Sequence, residues 1–112
     1  MGATQQVILT TTVLATAALA QQHFVGADNA PCLAGAVALG VAEVDGATGD
    51  AVPVNVLGIV AVEAGAAIER GKSVQSDESA RAVLLTEAGV SNGIALDAAL
   101  AEGDIIRILR GV

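Results

Sequence analysis

Aromatic residues are almost absent from this chain: it has one Phe, no Trp and no Tyr in 112 residues. It also has one Cys, one His, two Pro and only five basic side chains against twelve acidic ones. Each scarcity excludes something. With Phe24 alone, no platform of aromatic rings exists on which nucleic-acid bases stack. With Arg70, Lys72, Arg81, Arg107 and Arg110 scattered through a chain of net charge −7, no basic stripe tracks a phosphate backbone. Cys32 has no partner for an internal disulfide and leaves the redox compartment undetermined. One His and one Cys cannot build a zinc set within one chain unless carboxylates complete it.

What is there is small and apolar. Hydrophobic residues make up 54% of the chain, supplied by Ala, Val, Leu and Ile, with 13 Gly. The length suits one domain with one core. Small side chains gain less on burial, since a fully buried Val or Leu contributes only about 1.5–3 kcal/mol. Such a chain benefits from self-association or from docking on a large partner. The acidic excess keeps it in solution.

The second half carries the fold signal. Val52 to Val62 (VPVNVLGIVAV) is followed by short apolar runs cut by Gly beside a charged residue: Glu63-Ala64-Gly65, Glu69-Arg70-Gly71-Lys72 and Glu102-Gly103-Asp104. Ile105 to Leu109 closes the series. Branched residues in short runs between tight turns describe strands. Pro53 marks an edge or strand-start position. His23-Phe24-Val25 begins a second short strand, and Gly35 to Val44 alternates loosely. Asp77 to Arg81 forms a polar turn, and Asn92-Gly93 is a two-residue turn signal. Leu96 to Glu102 (LDAALAE) has helical composition but only seven residues, marginal for a helix.

The N-terminus holds a distraction. Residues 1–27 contain no charged Asp, Glu, Lys or Arg, and Ala18-Leu19-Ala20 imitates a signal-peptidase site. A secretory signal needs a basic leading region, and Met1 to Gln6 has none. The 14-residue stretch Val7 to Ala20 holds four threonines and is too short and polar to span a bilayer. Val7, Leu9, Thr11 and Val13 alternate with Ile8, Thr10, Thr12 and Leu14, a β-branched run that suits a strand.

Candidate chemistry fails residue by residue. Gly65 to Ser73 approaches a phosphate-binding loop, but five residues separate its glycines where four are needed, and no apolar-periodic helix follows. A Gly-ended turn with an exposed Lys72 explains it. Asp45 and Asp50 flank a Gly-rich turn and fall short of the six to eight oxygen ligands that calcium collects. No Gly-x-Ser-x-Gly elbow accompanies His23. The Gly58 … Gly65 … Gly71 rhythm is similar to biotinyl and lipoyl carrier domains, yet Lys72 sits in Gly-Lys-Ser rather than the Met-Lys-Met or Asp-Lys-Ala that carries the modification. The pattern is not that of an enzyme, and it calls for no metal or cofactor.

The order of the pieces resembles another family. It runs from the uncharged Val7–Ala20 strand through Phe24-Val25, Gly40-Val41-Ala42, Thr48-Gly49-Asp50 and Val54–Val62 to Ala64-Gly65-Ala66-Ala67-Ile68. Gly71, Val74 and Ser76-Asp77 follow, then Gly93 to Ala99, Gly103-Asp104 and the final Ile/Leu/Arg strand. This resembles the capsid cement, or decoration, proteins of tailed bacteriophages. Glu69-Arg70-Gly71-Lys72 departs from the Gly-Asp turn commoner in such proteins.

The resemblance implies a mainly β protein: a small single-domain β-barrel or sandwich-like fold with at most one or two short helices. Residues 1–20 form an N-terminal strand or capsid-docking arm, and residues 21–112 a compact β-rich domain. It implies a virion structural protein on the outer capsid surface, bridging neighbouring major capsid subunits. Its partners are the major capsid protein and itself, as homodimer or homotrimer, with no nucleic acid and no membrane. The expected capsid contact is Val7, Leu9, Thr11 and Val13, the alternative being that this stretch is the first core strand. The competing function is a small β-barrel binding or carrier module, exported or intracellular.

Overall fold

A computed structural model describes residues 4–111. Eight strands form one sheet: β1 (Gln6–Leu14), β2 (Phe24–Gly26), β3 (Ala38–Ala42), β4 (Ala51–Glu63), β5 (Ser73–Ser76), β6 (Ala82–Leu84), β7 (Gly93–Ala95) and β8 (Ile105–Arg110). Every strand pairing is antiparallel. No α-helix occurs among the described residues.

The 13-residue β4 is the spine. A strand residue has one neighbour on each edge, so shared registers fix the arrangement. β1 and β3 both pair at Val54 and Asn55, and β1 and β8 both pair at Gly58. Hence β3 and β8 follow each other along one edge of β4, and β1 runs along the other. From β8 the sheet continues through β7 and β5 to β6. β6 returns to the end of β4 through a parallel bridge between Ala64 and Ala82. Gly65 N–H donates to Ala82 O at 2.8 Å there, so the sheet nearly closes into a barrel.

Two apolar clusters follow from this path. The larger lies within the barrel and includes Phe24, Val41, Val60, Val62, Ile68, Val74, Ile106 and Ile108. The smaller gathers Val13, Ala15, Leu19, Val25, Ala42, Val52 and Val54 under β1. β4 serves both, with Val52 and Val54 in one and Val60 and Val62 in the other. Between them the β1–β4 register slips on both sides of Leu9. Gly58 stands at this irregularity with φ of +106°, and a Cβ there would lie 2.5 Å from Gln6 O. Only glycine lets β1 approach so closely.

Of two local signals, one stays unrealised and one is corrected. Leu96 to Glu102 forms turns, because its backbone is bonded elsewhere: Ile68 and Ala99 exchange N–H···O bonds of 3.0 and 2.9 Å, and the Asp104 carboxylate accepts from Leu100 N–H at 2.8 Å. Asn92-Gly93 does not turn a hairpin, since β6 and β7 flank β5 on opposite edges. Asn92 is instead buried; its side-chain oxygen accepts from Ala38 N–H at 2.9 Å and its amide donates to Ala36 O at 3.1 Å. Asp77 does make the expected polar turn, accepting from Ser79 and Arg81 N–H at 2.8 and 2.9 Å.

Asp97, in the stretch of helical composition, clamps β8. Its carboxylate takes two bonds of 2.9 Å from the Arg107 guanidinium and one of 3.0 Å from Arg107 N–H. The side-chain bond from Arg107 is the largest influence and, with its backbone bond and charge, holds the Asp97 carboxyl below the usual aspartate range although burial opposes it. A depressed folded-state pKa adds stability that is present above the unfolded value and lost as pH falls through the folded one. Stability should therefore decline from about pH 4 downward, and Asp97→Asn should flatten that part of the decline. Urea midpoints measured between pH 6 and pH 2.5 check this; an identical acid slope in the variant would contradict it.

Candidate functional site

The residues that suggested chemistry are apart and occupied. His23 holds Ser79 O through Nδ1 at 2.9 Å and faces Glu63 through Nε2 at 3.5 Å. Cys32 is buried, with Sγ within 3.5 Å of Leu33 O and Ala36 O, and burial pushes its thiol above the usual range. A neutral, buried thiol is a packing group. Asp45 accepts from Gln21 N–H and Asp50 from Ala47 N–H, both at 2.8 Å, so these carboxylates organise turns. Lys72 is exposed in a turn closed by its own N–H on Glu69 O. Among the described residues no group of three or more His, Cys, Asp or Glu could hold a metal ion.

The surface is more informative than the interior. β1 pairs only with β4 among the described residues, so its other edge presents free N–H and C=O groups. Ile8 is 82% exposed, Leu14 65% and Leu9 46%, with Thr10 and Thr12 also exposed. Exposed edge strands are ordinarily blunted by charge, proline or a covering element. This nine-residue strand has no charged residue and no proline. Among the described residues no element covers it.

The strand is held firmly in the sheet. Gln5 Oε1, just before it, accepts from Ala61 N–H at 2.9 Å. Thr10 Oγ1 donates to the buried Asn55 Oδ1 at 3.0 Å, and Asn55 Nδ2 also donates to Glu43. The N-terminal segment is thus a sheet strand rather than a detached arm; residues 1–3 of the expected 1–20 segment lie outside the described residues. Of the four positions expected to make the contact, Val13 is buried opposite Val52 and Thr11 is half-buried opposite Val54. Val7 packs on the larger cluster, and Leu9 alone is exposed. The outward set is Ile8, Thr10, Thr12 and Leu14. The register with β4 makes this assignment, turning Thr11 and Val13 inward, while the slip on both sides of Leu9 leaves that residue exposed.

Three comparisons relate the chain to known proteins. A family model described as phage cement protein matches residues 3–110. No curated protein matches. Among solved structures, the head fiber gp8.5 N base of bacteriophage phi29 is similar, with a TM-score of 0.75 and 21% identity over 92% of this chain and 93% of that one. At that identity the likeness concerns the fold.

Proposed function

The chain belongs to the phage cement protein family, structural proteins of the virion that associate with the capsid, and from that premise we propose that it binds the outer surface of the expanded capsid and bridges neighbouring major capsid subunits through the open face and edge of β1. The observation that carries this reading is an uncharged edge strand with Ile8 and Leu14 exposed on a chain of net charge −7. All twelve acidic residues follow position 27, so β1 itself contributes no charge to the contact.

The energetics suit a cement. Burying Ile8 and Leu14 contributes about 1.5–3 kcal/mol each, and strand addition at the edge supplies backbone hydrogen bonds that carry affinity. One such contact is weak. Homodimers or homotrimers spanning several subunits convert it into durable attachment, because each further contact is intramolecular.

Replacing Ile8 and Leu14 together by Glu tests the reading. Both side chains point to solvent, so thermal unfolding should be nearly unchanged while affinity for expanded capsids falls roughly 100-fold or more. Co-sedimentation with capsids reads this directly. Undiminished binding by a folded double variant would refute β1 as the contact.

A further inference from the structure

The other edge of β4 carries an unusual side chain. Arg110 closes β8 where β3 gives way to it, and its guanidinium reaches into that junction. Nε donates to Val56 O at 2.8 Å, Nη1 to Asn92 O at 2.7 Å, and Nη2 to Ala38 O and Leu39 O at 3.0 and 3.3 Å. These four bonds occupy four of the five guanidinium N–H groups, leaving one on Nη1.

No carboxylate of the described residues lies within ion-pair distance of Arg110, although its neighbour Arg107 has Asp97 and Arg81 has three acidic partners. Burial draws the guanidinium below its usual range, and the one titratable group acting on it is the Cys32 thiol. In a chain with more than twice as many acids as bases, a half-buried cation with no counter-charge among the described residues is the exception that needs a reason.

Arg110 also lines an open notch of about 340 Å³. Val37, which is 60% exposed, and Ile94 supply apolar wall; Ser73, Ser91 and Asn92 supply polar wall. The notch is close to the docking strand. Arg110 and Val7 pair with Gly58 from opposite edges, two strand spacings or about 10 Å apart.

We infer that the Arg110 notch receives a carboxylate side chain presented by the capsid subunit on which β1 docks. The inference rests on the docking reading above, but its chemistry stands alone. A carboxylate at the free Nη1–H gains a charge-assisted bond and supplies a counter-charge that no described residue provides, while the Ser91 hydroxyl, which donates to Gly93 O at 3.4 Å, forms part of the polar wall beside it.

The test begins with the isolated protein and acetate as probe. Acetate should move the Arg110 side-chain resonance and the Ser91–Gly93 amides saturably at millimolar concentration. Sodium chloride at equal ionic strength should not. Absent shifts, or equal shifts with chloride, would overturn the site whatever the capsid does. Ser91→Asp then supplies an internal carboxylate at the exposed mouth and avoids removing Arg110, whose loss would free four carbonyls. This variant should raise Tm by about 4 °C, abolish the acetate shifts and lower capsid affinity about tenfold. Normal capsid affinity in S91D would overturn the capsid as the source of the carboxylate. A loss of self-association instead would assign the carboxylate to a second copy and equally overturn that source.

Discussion

Phe24→Ala is expected to cost about 3–5 kcal/mol of folding free energy, a large share of the about 5–15 kcal/mol available to a domain of this class. Phe24 is the single aromatic residue, 1% exposed, in a cluster otherwise built from Val, Ile, Ala and one Cys. Its backbone is fixed on both sides, by N–H to Ala80 O at 2.7 Å and by its carbonyl accepting from Cys32 N–H at 3.1 Å. The small neighbours therefore cannot close over the vacated volume, and the cavity remains. Phe24→Leu, which retains most of the volume, should cost under about 1.5 kcal/mol. Urea denaturation with the slope held constant measures both. A loss below 1 kcal/mol for the alanine variant would mean that the core relaxes freely around this position.

The second large effect is expected at Gly40, from overcrowding rather than a cavity. A Cβ at this position would stand 2.3 Å from Asn55 O and 2.8 Å from Val54 Cγ1. The nearest obstacle is backbone of the paired strand, so no rotamer change relieves it. Gly40→Ala must separate β3 from β4 beside Asn55, whose side chain is itself buried and bonded to Thr10 of β1. The cost should be about 3 kcal/mol, and hydrogen exchange should show protection lost first along β3 and the adjoining half of β4. An alanine variant with unchanged midpoint would show that β3 sits further from β4 than described.

Much of the fold was legible in the residues because its signals are local. Val52 to Val62, Ile105 to Leu109 and the Gly-charge turns between them are periodic or punctuated segments, and each became the strand or turn it suggests. Local signals went unrealised where a residue answers to distant partners. Asn92-Gly93 has turn chemistry, but the Asn92 amide binds Ala36 and Ala38, more than 50 positions away in sequence. Leu96 to Glu102 has helical residues, yet Asp97 and Ala99 are claimed by Arg107 and Ile68. The surface was half legible. Alternation located β1 but did not state which set faced outward; the registers Val13↔Val52 and Thr11↔Val54 turn Val13 and Thr11 inside. Arg110 carried no signal at all: a Gly-Val tail after an Arg-ended strand gives no hint of a guanidinium folded onto four carbonyls.

The central claim is attachment to the capsid, and saturation binding to purified expanded capsids tests it most directly. The chain should co-sediment with them and reach a plateau at a fixed small-integer ratio to the major capsid protein, set by the symmetry of the lattice. Absence of co-sedimentation with a matched capsid, or uptake that rises without a plateau, would contradict a cement bound through a defined surface.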